Sequence, residues 1–206
     1  MKLNPKYIQL TGDGAIPILG FFFWNWNLYF ILLFYFLDMF TKEIILHAKS
    51  KKITNYKAEN QLENLINEKK SWMKFGFLSI LILSFSILIS QIIMPFVQPN
   101  FNASKQVVAF LTYKEMGIEQ GFVLIPLIAF MGFFQYKMEF IQPAVFAKIN
   151  VSQLWQPHIS SMIVLLAFSA LSLGIVQFVQ LPEWFFVIGI VVISSFYQII
   201  TLKKSM

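Results

Sequence analysis

Two histidines and ten acidic residues are the groups in this chain best suited to chemistry. His47 follows Glu43 by four positions, a spacing that puts both side chains on one face of a helix. An imidazole and a carboxylate so placed can share a proton or a metal ion. Joined by Asp38, Glu139 and His158 from other segments, they would form a hydrolytic or metal site at a membrane face. No HExxH, G-x-S-x-G or glycine-rich phosphate loop accompanies them. The expectation is therefore no catalytic residue, no metal ligand and no cofactor.

Neutral polar groups inside apolar runs form a second set. Asn25, Trp26 and Asn27 interrupt the first such run, and an amide in hydrocarbon must find a hydrogen-bond partner. They are the candidate ligand-binding residues; a position at the membrane interface is the structural alternative. Ser79, Ser86 and Ser90 stripe one helix face, and Ala167, Ala170 and Gly174 stripe another. Small and hydroxyl-bearing residues at such spacing let helices approach closely, so these six are the candidate helix-packing residues.

Composition removes several function classes. All 16 basic residues are lysine, so the planar fork with which arginine grips phosphate is missing, and nucleic acid is not an expected partner. With no cysteine, disulfides, iron–sulfur clusters and thiol catalysis are excluded. The chain is 57% hydrophobic and 13% charged, with 24 phenylalanines and a mean hydropathy of +0.66. This is the balance of a polytopic membrane protein, not of a water-soluble domain.

The elements that must position these residues are helices. A span needs about 20 apolar residues to cross a hydrocarbon core about 30 Å thick. Five segments qualify: Ala15 to Leu37, Phe75 to Val97, Ile118 to Tyr136, Ile159 to Leu181 and Trp184 to Leu202. The fold expected is an all-α, polytopic membrane helix bundle forming a single integral membrane domain over residues 1–206. The third span carries Pro126, and only Pro182 and Glu183 separate the last two, which reads as a tight hairpin. A polar stretch from Thr11 to Gly14 precedes the first run, so a retained span is expected and not a cleaved signal. Pro17 and Gly20 leave open a separate or re-entrant helix over residues 7–23.

Residues 39–73 continue the helical pattern and read as a cytoplasmic helical hairpin, with Asn55 as the N-cap between its arms. Eight lysines fall in this connection and its flanks, and alternation from there puts twelve inside and four outside. By the positive-inside rule the chain is N-out and C-in. Because native cysteine is absent, a single Cys at Ser50 would report its side. In the ordinary reading the hairpin is a solvated surface whose lysines set topology; in the functional one it docks a partner or anionic headgroups.

Gly20, Trp26, Tyr35 and Asp38 occur in that order within GFFFWNWNLYFILLFYFLDMF, residues 20–40. The stretch resembles the opening of a domain-of-unknown-function family of bacterial integral membrane proteins. Phe36 stands where that family often has Trp, and Asp38 where it usually has Glu. The resemblance implies a bacterial inner-membrane protein and no particular activity. The leading expectation is a non-enzymatic accessory or interaction protein, whose partners are the lipid bilayer and a second copy or another membrane protein. A transporter or receptor component for a neutral, largely hydrophobic small molecule is the alternative. A membrane enzyme with a cytoplasmic-face site stands third.

Overall fold

The apolar run that starts at Ala15 does not form one helix. In the computed structural model α1 spans Pro5–Phe23 and α2 spans Leu28–Glu59, with an irregular turn from Trp24 to Asn27 between them. Asn25 sits at φ 50°, a left-handed conformation that asparagine tolerates better than most residues. The Trp26 amide donates to Gly20 O at 2.9 Å, and its indole lies so close over Gly20 that a Cβ there would collide with the ring. Asn27 then caps α2, its Oδ1 accepting from the Phe30 amide at 2.9 Å. The continuous first span expected from composition is corrected to two helices, because local turn chemistry overrides the apolar run.

The backbone is described for residues 5–60, 64–112, 114–115 and 118–204, and side chains for residues 14–60, 64–112 and 121–195. The remaining helices are α3 (Leu65–Val97), α4 (Ala103–Thr112), α5 (Gln120–Gln135), α6 (Val151–Val176) and α7 (Glu183–Lys204). A π-helical turn, Tyr136–Ile141, prolongs α5, and a short antiparallel pairing of Lys114–Glu115 with Ile118–Glu119 precedes it. The architecture is otherwise all-helical.

Three described helical segments are long and apolar enough to cross a membrane: Leu65–Val97, Gly121–Ile141 and Val151–Val176. Gly14–Phe23 and Glu183–Ser195 are apolar but shorter. These features are compatible with an integral membrane protein. Large apolar side chains on outward faces, among them Phe77, Phe85, Phe130 and Phe133, fit a hydrocarbon surround. Only 6% of the most apolar window of the Gly121–Ile141 segment is buried within the chain. That segment is a peripheral helix.

α3 packs along α6, α1 packs along α7, and α2 threads between them, touching every other α-helix. One apolar core surrounds the start of α2, with Trp26, Ile31, Phe34, Met94 and Val187. The other surrounds Trp155 and Ile53, with Ile82, Phe140 and Met162.

The connection between α2 and α3 also differs from expectation. α2 runs unbroken through Asn55 and stops at Glu59, with Asn60 as its C-cap. Its last turns are packed, not solvated: Ser50, Ile53, Thr54 and Lys57 are buried. Lys57 Nζ donates to Glu68 Oε1 at 2.6 Å and to Asn150 Oδ1 at 2.7 Å, while Glu68 Oε2 accepts from the Val151 amide at 2.7 Å. This buried pair therefore joins α2 and α3 to the N-terminus of α6, where a carboxylate also offsets the helix dipole. Lysine and glutamate read from sequence as surface charges are here a three-helix tie.

Candidate functional site: an interhelical cavity and the carboxylate behind it

A cavity of about 470 Å³ lies between α2, α5 and α6, with Ile16 of α1 at its edge. That volume falls within the roughly 300–1,000 Å³ typical of small-molecule sites. Aliphatic side chains make most of its wall, among them Ile45, Leu46, Leu124, Ile128 and Leu154. The polar groups come from three helices: Asp38, Thr41, Lys42 and Lys49 on α2, Gln135 at the end of α5 and His158 on α6. Residues 38, 42, 45 and 49 share one face of α2 because they recur at helical spacing. Lys42 pairs with Asp38 at 2.6 Å, and Lys49 Nζ stands 5.5 Å from the centre of the Phe140 ring. Gly132 lets α5 approach α2, since a Cβ there would strike Ile45.

Behind His158 lies a buried carboxylate, Glu43, whose side chain is only 7% exposed. His158 Nε2 lies 3.2 Å from Glu43 Oε2, and His47 Nε2 lies 3.3 Å from Glu43 Oε1. The Ser79 hydroxyl hydrogen-bonds to that same Oε1. Trp72 Nε1 donates to His47 Nδ1 at 2.7 Å, and the indole N–H can only donate. The His47 proton therefore sits on Nε2, facing Glu43. Close packing holds the group: a Cβ on Gly76 would come within 2.7 Å of the His47 ring, and Trp155, fully buried, donates to Ser50 Oγ at 2.7 Å.

Glu43, His47 and His158 thus meet, as the third sequence reading required, while Glu139 makes no contact with Glu43. The two imidazoles face one carboxylate between them. Among the described residues no group of three or more His, Asp or Glu is disposed to hold a metal ion.

The other candidates lie elsewhere. Asn25 is exposed, Trp26 is buried in the apolar core and Asn27 is a helix cap whose Nδ2 donates to Gln106 Oε1 at 2.9 Å. They turn the chain between α1 and α2 and do not line the cavity. Glu183 completes that end of the bundle: its Oε2 accepts from the Leu28 amide at 3.0 Å and its Oε1 from Gln98 Nε2 at 2.9 Å.

Of the packing stripes, Ser79 and Ser90 are buried and Ser86 is half-buried, so the α3 stripe faces inward. The α6 stripe faces outward within this chain. Ala167, Ala170 and Gly174 are exposed, and nothing lies within 4 Å of a Cβ built on Gly174. The packed face carries the bulkier Trp155, Ile159, Met162 and Val176.

Sequence reasoning missed the cavity, since its walls come from helices far apart in the chain. The one available signal was the recurrence of Asp38, Lys42 and Lys49 along α2, which reads equally well as a solvated face. Comparisons with known protein families, curated proteins and solved structures find no match for this chain.

Proposed function

We propose that this chain is a non-enzymatic integral membrane protein that binds a largely apolar small molecule between α2, α5 and α6, as a receptor or transport component. The observation that carries this reading is the cavity itself, about 470 Å³ with a mostly aliphatic wall and a few polar side chains. Its position beside the peripheral α5 gives a lipid-soluble molecule a short route from the bilayer. The lysine distribution and the resemblance of residues 20–40 support a bacterial inner membrane, N-out and C-in.

Native mass spectrometry of gently solubilised protein tests the binding reading. Wild type is expected to carry a small-molecule adduct that is lost in Ile128→Trp or Leu154→Trp, which fill the cavity. Replacing Asn25 and Asn27 by Leu is expected to leave the adduct in place. A wild-type spectrum without any adduct counts against the proposal.

A second reading, an accessory protein that meets another membrane helix, is supported by the outward stripe of Ala167, Ala170 and Gly174. In the same spectra it predicts a dimer or a retained protein partner that is lost when these three residues are changed to Leu.

A further inference from the structure

The end of the bundle where α2 stops and α3 and α6 begin carries an uneven charge. Lys51 of α2, Lys69, Lys70 and Lys74 of α3, Lys137 of the π-helical turn and Lys148 before α6 are all exposed, and Glu59 is the only exposed acid among the described residues of that end. The tie of Lys57 to Glu68 and Asn150, and the approach of Lys52 Nζ to within 5.1 Å of the centre of the Phe146 ring, bring these segments together. Glu68 does not offset the exposed lysines, since it is buried and paired with Lys57. None of the six lysines forms an ion pair among the described residues.

The α3 lysines differ from the rest in what lies between them. Ile66, Lys70, Met73 and Phe77 recur at three- and four-residue spacing and share one helix face, with Lys69 and Lys74 on its flanks. Ile66, Met73 and Phe77 are 66%, 68% and 71% exposed. A face turned to water gains nothing from large apolar side chains between its charges, whereas a membrane interface accommodates both, the lysine stems lying on apolar surface and the ammonium groups reaching the headgroups. Past Lys74 the same face continues through the exposed Leu81 and Leu88, and no charged residue follows before α3 ends at Val97. The stretch Phe75–Val97 rises about 35 Å, enough to cross a hydrocarbon core about 30 Å thick, so Lys74 stands at headgroup level.

We infer that this face of α3 is a docking site for an anionic phospholipid of the surrounding membrane. Its phosphate lies among Lys69, Lys70 and Lys74, and an acyl chain runs along Phe77 and Leu81. Lysine meets phosphate as a point charge without the fixed fork of arginine, so the site reads negative charge and not headgroup shape. Membrane topology alone asks only for positive charge on one side and places no apolar residues between the charges. This site is separate from the cavity between α2, α5 and α6 and does not depend on the binding reading above.

The test uses the full chain in nanodiscs of phosphatidylcholine and phosphatidylglycerol, mixed in equal amounts and with the same acyl chains. Native mass spectrometry of the released protein reads which lipid stays bound. Wild type is expected to retain phosphatidylglycerol over phosphatidylcholine by about five- to twenty-five-fold, the range for one or two lysines on the phosphate. The triple variant Lys69→Gln, Lys70→Gln, Lys74→Gln should bring the ratio to parity, and arginine at the same three positions should keep it. Lys51→Gln with Lys137→Gln and Lys148→Gln removes the same charge from the same end and should leave most of the preference. A wild type without preference overturns the proposal, as does an equal loss in the two glutamine variants or a loss in the arginine variant. Ile128→Trp, which fills the cavity, should leave the ratio unchanged; a loss there would put the lipid in the cavity and overturn the α3 site. All six lysines are exposed and make no ion pair among the described residues, so these variants keep the fold.

Discussion

Glu43 on α2 and His158 on α6 are 115 residues apart in the chain and 3.2 Å apart in the fold. His158 lines the cavity, and Ser79 and His47 complete the shell of the carboxylate behind it. Removing the carboxylate takes a partner from three polar groups at once. Glu43→Leu is expected to destabilise the protein by about 1–3 kcal/mol, the usual cost of leaving buried hydrogen-bonding groups without a partner. Glu43→Gln, which keeps an acceptor oxygen, should cost less. Unfolding in mixed micelles with rising dodecyl sulfate measures both, and equal, small losses would contradict the geometry.

The Lys57–Glu68 pair, at 2.6 Å with both side chains at most 10% exposed, makes a different prediction. Lys57→Met leaves Glu68 buried without its cation and should cost about 3–5 kcal/mol. The double variant Lys57→Met with Glu68→Leu should recover part of that loss, because no charge is then left uncompensated. A double-mutant cycle by the same unfolding assay reads the coupling, which vanishes if the pair is only a surface contact.

Gly20 has no room for a side chain beneath Trp26. Gly20→Val is expected to cost about 1–3 kcal/mol through overpacking and to shift the tryptophan emission, because the indole must move. Gly174 stands in the opposite situation, with open space around its missing Cβ. Gly174→Ala should stabilise α6 by about 0.5–1 kcal/mol from backbone entropy alone.

Orientation can be read by cysteine labelling, but not at Ser50, which is fully buried and accepts from Trp155. Lys70 and Lys105 are exposed and lie near opposite ends of α3 in the chain. In intact cells an impermeant maleimide is expected to label Lys105→Cys and to spare Lys70→Cys until the membrane is opened. The reverse pattern would invert the topology.

The sequence by itself determined the class of solvent and the kind of element. Runs of Phe, Ile and Leu as dense as those of α3 and α6 are long and apolar enough to cross a membrane, and backbone groups in hydrocarbon must be paired within a helix. It also carried the local chemistry of the turn before α2, since Asn25 accepts a left-handed backbone and Asn27 caps a helix. Reading that segment as one span failed because hydropathy averages over about 20 residues, whereas a turn is decided by three or four. Only the tertiary structure decided which charges are buried, which face of α6 is packed and where the cavity lies. Lys57, Glu68 and Glu43 lie among other charged residues in the chain, and nothing in their own windows distinguishes a surface lysine from one that meets Asn150 at 2.7 Å. Ala167, Ala170 and Gly174 look like a packing face, yet the larger side chains of the neighbouring face fill the interface with α3, and the small ones are left outside. Burial is a property of pairs of helices. It follows from how α2, α3, α5 and α6 are placed against one another, which no single stretch of sequence contains.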